Sequence, residues 1–154
     1  NYDRFDLSIL ISEVIESLEL KASKNNITLH FKEKYKYPNW VYADREKIRQ
    51  VLVNLISNSI KYGKNPGNTS IKTFELHDQI LVEITDDGIG IEEKYLPRLF
   101  ERFYRTDQSR SREIGGSGIG LAIVKHIIEA HQQTISVRST ENIGSTFGFT
   151  LARA

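Results

Sequence analysis

Cysteine is absent from the 154 residues, and so is methionine. Without cysteine there is no disulfide framework, no zinc–thiolate site and no thiol nucleophile. The missing methionine extends to position 1. A chain translated on its own starts with methionine, so the sequence reads as a piece of something larger. Proline is scarce, at three residues, and glycine stands at ten. That excludes collagen-like and low-complexity chains. No apolar run approaches the roughly 18 residues that a membrane-spanning helix needs, and no signal-peptide pattern opens the chain. Neither sign of charge dominates, with 21 Lys and Arg against 20 Asp and Glu, a formal charge of +1. This balance speaks against nucleic-acid binding and against a polybasic membrane-binding face. What is there is 39% hydrophobic and 27% charged. That is globular composition, and the length suits one domain, which usually takes about 100–150 residues.

The first 26 residues carry helical periodicity, with Leu7, Leu10, Ile11, Val14, Ile15, Leu18 and Ala22 on one stripe and Asp6 as N-cap. Residues 27–34 alternate apolar and polar side chains as a strand does, and residues 40–43 form a second short strand beyond Pro38. Asp44 caps a second helix to about Tyr62, built on Ile48, Val51, Leu52, Leu55, Ile56 and Ile60. A polar turn over 64–68 leads to a hairpin of strands near 71–76 and 80–86. Residues 87–117 are irregular apart from a short helix near 96–100. A third helix over about 119–131 precedes strands at 134–139 and 146–151. Strands bunch in pairs instead of alternating singly with helices. The expected fold is therefore α+β, a two-layer α/β sandwich in which a mixed sheet of about five strands is covered on one face by three helices.

Chemistry concentrates in four places. Ile80, Val82, Ile84 and Asp86 share one face of their strand, so Asp86 ends a row that faces the core. A carboxylate there needs a donor. Backbone amides of the following turn would serve, and so would the exocyclic amino group of a ligand. Second, Gly88 and Gly90 in the run Asp86-Asp87-Gly88-Ile89-Gly90-Ile91 allow positive φ and a close approach of a flat ligand. Third, Asn54, Asn58 and Lys61 fall within about 60° of one another around their helix, beside its apolar stripe. Asparagine is a poor helix former. Two on one rim either bond locally and face solvent, or supply amide oxygens to a hard cation such as Mg²⁺, with Lys61 meeting phosphate. Fourth, Gly115-Gly116-Ser117-Gly118-Ile119-Gly120 runs into a helix, where backbone amides and the helix N-terminus favour anions. No Gly-Lys-Ser/Thr follows, so it is not a P-loop.

The combination and order of these features resemble the ATP-binding catalytic domain of sensor histidine kinases, in the superfamily shared with gyrase-type, mismatch-repair and chaperone ATPases (the GHKL, or Bergerat-fold, superfamily). The match covers essentially all of residues 1–154, read as one such domain. Asn54-Leu-Ile-Ser-Asn58-Ser-Ile-Lys61-Tyr62 looks like the family's N box and Asp86–Ile91 like its first glycine box. Leu99-Phe-Glu-Arg-Phe103-Tyr104-Arg105 looks like the F box, and Gly116-Ser117-Gly118-Ile119-Gly120-Leu121 like the second glycine box. Gly144-Ser-Thr146-Phe147 occupies the last box.

The resemblance implies a protein-histidine kinase whose cofactors are ATP and Mg²⁺. Asp86 would take the adenine amino group. Asn58 would ligate Mg²⁺, with Asn54 and Lys61 beside the metal and phosphates. Tyr62, Gly88, Gly90, Ile91, Tyr104, Leu121 and Thr146 would border the nucleotide. Arg105 would reach phosphate, and Gly116, Ser117, Gly118, Ile119 and Gly120 would present a lid. Asn54, Lys61 and Arg105 are the implied catalytic set. Hydrolytic members of the superfamily place Glu at position 54 as general base, and Asn cannot take that proton. The γ-phosphate is then expected to pass to a histidine on a separate dimerisation and phosphoacceptor domain. None of His30, His77, His126 and His131 sits in a phosphoacceptor context; each reads as surface or helix-edge packing. A response regulator would be an indirect partner, and the location would be cytoplasmic, on a membrane-anchored sensor that this piece itself does not attach. Competing expectations are an anti-sigma-type serine kinase and a hydrolytic ATPase of the same superfamily. Asp87 stands where Asn is common, Ser59 where Ala is common, and Gln132-Gln133 replaces a glycine-rich turn.

Overall fold

A computed structural model describes residues 1–33, 38–101 and 120–154. In chain order the elements are β1 (Asp3–Asp6), α1 (Leu7–Lys24), β2 (Ile27–His30), β3 (Trp40–Ala43), α2 (Arg45–Lys61), β4 (Gly67–Glu75), β5 (Gln79–Asp86), a 3₁₀ segment (Glu93–Arg98), α3 (Gly120–Ala130), β6 (Ile135–Thr140) and β7 (Gly144–Arg153). Both long helices start where an aspartate precedes the apolar stripe. Asp6 accepts the Ser8 N–H at 3.0 Å and also the Asn39 N–H at 3.0 Å, tying the start of α1 to the segment before β3. Asp44 accepts the Lys47 N–H at 3.3 Å. Such side-chain oxygens satisfy amides that a helix start leaves unpaired.

The sheet runs β1-β3-β7-β5-β4-β2, with β6 also on β7. The long β7 pairs along one edge with β5, and β6 and β3 share its other edge. Only β2–β4 is parallel, so the sheet is mixed. Period-two alternation gives it one apolar face. Ile71, Ile80, Val82, Ile84, Phe147, Phe149 and Leu151 are buried there with the inner stripes of all three helices. The opposite face carries Arg138 and Glu83, paired at 2.9 Å across strands, together with the exposed Trp40, Tyr42 and Phe74.

The two-layer expectation holds, with seven strands among the described residues in place of about five. Six strands are expected one by one along the chain, and the seventh, β1, lies inside the stretch read as continuous helix. Four residues are too few to show a period, and the helical stripe begins directly after them at Leu7. Pairing with β3 puts Phe5 opposite Val41, and both are buried. β4 starts at Gly67, ahead of the expected 71, because its polar first residues pair with β2 through backbone hydrogen bonds. The 3₁₀ segment begins earlier than the short helix expected near 96–100. At the Gln132-Gln133 turn, Gln132 adopts φ +59, the conformation glycine takes most easily.

Candidate functional site

Asp86 ends β5 with Thr69 of β4 on one side and Ser145 of β7 on the other. Its Oδ1 accepts two backbone amides, from Gly88 at 2.9 Å and from Ser145 at 3.3 Å. Among the described residues no hydrogen bond reaches Oδ2. The backbone therefore satisfies one oxygen and leaves the other for a further donor. Burial pushes the carboxyl above its ordinary range, against the pull of the Gly88 and Ser145 N–H groups, and the neighbouring Asp87 charge adds to the rise. Such a group is held poised rather than saturated.

Asp87 has a different task. It accepts the backbone N–H of Asn68 at 2.9 Å and its side-chain amide at 3.2 Å. Burial works to raise its pKa, but these hydrogen bonds and the Lys64 charge outweigh it and hold the carboxyl low. Asp87 thus fastens the glycine turn to β4, while Asp86 points along the apolar face. Gly88 is buried against the N-box end, where a Cβ would run into the Tyr62 carbonyl. Gly90 has φ +69, which a bulkier residue adopts only under strain.

Asn54, Asn58, Lys61 and Tyr62 are all half-buried along the last turns of α2 and its end. Among the described residues no hydrogen bond engages the Asn54 or Asn58 side-chain amides, so their oxygens stay available. The Lys61 ammonium stands 5.8 Å from the centre of the Tyr62 ring. The Ile89 N–H donates to the Tyr62 carbonyl at 3.3 Å, which joins the N-box end to the glycine box. Between them, Thr69 is wholly buried and donates to Ser59 at 3.0 Å, and Ser59 donates to the Ile56 carbonyl at 2.7 Å. The serine found where alanine is common is thereby accounted for: it faces the sheet and answers Thr69.

The structure does not bring Thr146 to this group. Its hydroxyl bonds to Thr85 at 2.9 Å, one register step from Asp86 and so on the other face of the sheet. Ser145 is the β7 residue beside Asp86. Reading the last box alone could not separate the two hydroxyl residues, although strand alternation counted from the buried Phe147 and Phe149 would have. Ile91 keeps its side chain on the core, and its N–H donates to Ser139 at 2.8 Å. Gly120 and Leu121 open α3, Gly120 exposed and Leu121 against the core. Phe100 meets Phe147 edge-on at 6.2 Å, anchoring the entry of the F box. Tyr104, Arg105, Gly116, Ser117, Gly118 and Ile119 lie outside the described residues.

A cleft of about 590 Å³ opens between the α2 end and the glycine turn. Its walls include Lys61, Lys64, Gly88 and Asn142 but not Asp86, so it borders the carboxylate rather than centring on it. Among the described residues no cluster of His, Asp and Glu side chains could hold a metal by itself. Mg²⁺ characteristically needs only one or two protein oxygens when phosphates supply the rest, and an uncommitted Asn58 amide suits that arrangement. His131 is committed elsewhere. Its Nδ1–H donates to the Ile127 carbonyl at 2.8 Å and its Nε2 accepts the Asp44 N–H at 3.1 Å, a helix-edge role.

The family model for histidine kinase-, DNA gyrase B-, and HSP90-like ATPases matches residues 43–154. The sensor histidine kinase WalK of Bacillus subtilis (strain 168) is 43% identical over 114 residues, which are 73% of this chain and 19% of that kinase. The chain likewise spans only a minority of the other sensor kinases it matches, for example 35% of the Haemophilus influenzae PhoR protein. Among solved structures, the catalytic domain of histidine kinase ThkA superposes with a TM-score of 0.84 at 30% identity, covering 99% of this chain and 98% of that one. Full-length ShkA, solved in complex with AMPPNP, gives 0.86 at 25% identity, covering all of this chain and 32% of that one. The chain therefore belongs to the histidine kinase-, DNA gyrase B- and HSP90-like ATPase family, as a catalytic domain of the sensor histidine kinase type.

Proposed function

We propose that residues 1–154 form one ATP-binding catalytic domain that takes up Mg-ATP and passes its γ-phosphate to a histidine on a separate phosphoacceptor domain. The observation that carries this reading is Asp86, with Oδ1 held by two backbone amides and Oδ2 uncommitted among the described residues. A fixed acceptor at the end of an apolar row suits a flat base bearing an exocyclic amine. Asn54, Asn58 and Lys61 stand on the neighbouring helix rim, where phosphates and their metal would come. ShkA has been solved with AMPPNP, a nucleotide of this class. When bound, Mg²⁺ would offset phosphate charge, with Asn58 as the protein ligand. Lys61 and Arg105 would steady the phosphates, as phosphoryl transfer needs mainly positioning and charge stabilisation.

The test of the base assignment is calorimetry on Asp86→Asn. Losing a charged acceptor typically costs about 1.5–3 kcal/mol, so ATP affinity should drop about 10- to 100-fold. Unchanged affinity would sink the assignment. Position 54 favours transfer over hydrolysis, because an amide cannot accept the proton of an attacking water. Slow steady-state ATP turnover by the isolated chain is expected, and rapid turnover would favour the hydrolytic reading instead. A cytoplasmic location, and a response regulator as the eventual phosphate acceptor, belong to the same proposal. No helix among the described residues is long and apolar enough to cross a membrane.

A further inference from the structure

Asp86, Ser145 and Ser139 lie opposite one another on three adjacent strands, β5, β7 and β6. Two residues away on each strand, Ile84, Phe147 and Val137 form the next cross-strand row on the core side. The Ser139 hydroxyl is saturated. It accepts the Ile91 N–H at 2.8 Å and donates to the Gly144 carbonyl at 3.0 Å. Its remaining contact is the Ser145 hydroxyl at 2.7 Å. A hydroxyl has one proton and two lone pairs, so with its proton on Gly144 it must accept from Ser145. Ser145 in turn directs its backbone N–H to Asp86 Oδ1 at 3.3 Å. One hydroxyl therefore links both ends of the glycine box, Asp86 through Ser145 and Ile91 directly.

We propose that Ser139 is a positioning residue for base recognition: it locks Ser145 and Ile91 so that Asp86 presents Oδ2 to an exocyclic amine. This rests on the nucleotide reading given above. Ser139 touches no substrate in this account; it acts only through Asp86 and the glycine turn. Removing the hydroxyl frees Ser145 to reorient, leaves the Ile91 N–H without its acceptor, and loosens the one oxygen that holds the carboxylate in line. Recognition that depends on the amine should then suffer more than recognition of ribose and phosphates.

The test uses the intact 154-residue chain and calorimetry with two nucleotides, ATP and inosine triphosphate, which carries a 6-oxo group where ATP has the 6-amino group. The wild type should favour ATP. Ser139→Ala should lower that preference about fivefold, the loss of roughly one hydrogen bond, with inosine triphosphate affinity nearly unchanged. Ser139→Thr, which keeps the hydroxyl, should restore the preference. A merely structural serine would lower thermal stability and leave the ratio intact, and that result overturns the inference alone. A wild type with no preference for ATP overturns the nucleotide reading and this inference with it. Should Ser139→Ala not fold, Ser139→Cys, close in size and a weak donor, is read by the same ratio and must show the same loss.

Discussion

Asp86 is held ionisable in a place where charge is costly. Burial raises its pKa, and the two N–H groups on Oδ1 only partly reverse that. A carboxyl whose folded pKa lies above its unfolded value adds stability at low pH and loses that contribution as pH rises through the folded pKa. At neutral pH the ionised group therefore works against the fold. Asp86→Asn keeps one carbonyl oxygen for Gly88 and Ser145 and removes the charge. Its melting temperature at pH 7 should equal or exceed that of the wild type. The gap should close on acidification, where the wild-type carboxyl is protonated; differential scanning calorimetry across pH 4–8 checks the trend, and a gap widening toward acid would contradict it. ATP binding should show the opposite dependence, weakening as Asp86 protonates at a pH above the ordinary carboxylate range. The alternation of β5 made this residue legible from sequence. The hydroxyls of Ser139, Ser59 and Thr69 were not, because their role exists only between strands and helices that pairing brings together. Serine and threonine are common enough that nothing in their local context marks them.

Elements divide the labour between holding and recognising. α2 carries the site residues in its second half and its cap at the far end. At 1.5 Å per residue the cap lies about 15 Å from Asn54 and about 26 Å from Lys61. Asp44→Ala should therefore cost about 1 kcal/mol of stability, as lost N-caps typically do, without changing ATP affinity. Urea denaturation and calorimetry on the same variant check both halves. The Asp44 N–H that meets His131 is backbone and survives the substitution. An affinity loss matching the stability loss would mean that the helix start and the site are coupled. Helices α1 and α2 were legible because their apolar positions repeat over more than three turns each. β1 and the first residues of β4 were not, because both are made by pairing with a partner strand rather than by a pattern of their own. The exposed Glu13 pairs with Arg45 and Arg49 at 3.1 and 2.9 Å across α1 and α2. It is an example of contacts seen only in the fold, and such exposed pairs contribute little.

For the whole molecule, ligand binding should be visible as stability. The site is assembled from α2, the end of β5, the turn after it and the start of β7, segments far apart in sequence. A nucleotide that bridges them binds the folded state and not the unfolded chain. At a concentration 100 times its dissociation constant it should add about 2.7 kcal/mol. For a chain of this size, 1 kcal/mol moves the melting temperature by about 2–4 °C, so Mg-ATP should raise it by about 5–11 °C. The same concentration is only about 1–10 times the weakened dissociation constant of Asp86→Asn, so that variant should gain only about 0.4–1.4 kcal/mol, a rise of about 1–6 °C, although its ligand-free melting temperature is no lower. This pairing separates recognition from folding in one experiment. A variant that melts low and fails to respond has lost its fold, whereas one that melts normally and fails to respond has lost its ligand. A wild-type shift absent at saturating Mg-ATP would remove the basis for assigning a nucleotide to this sheet.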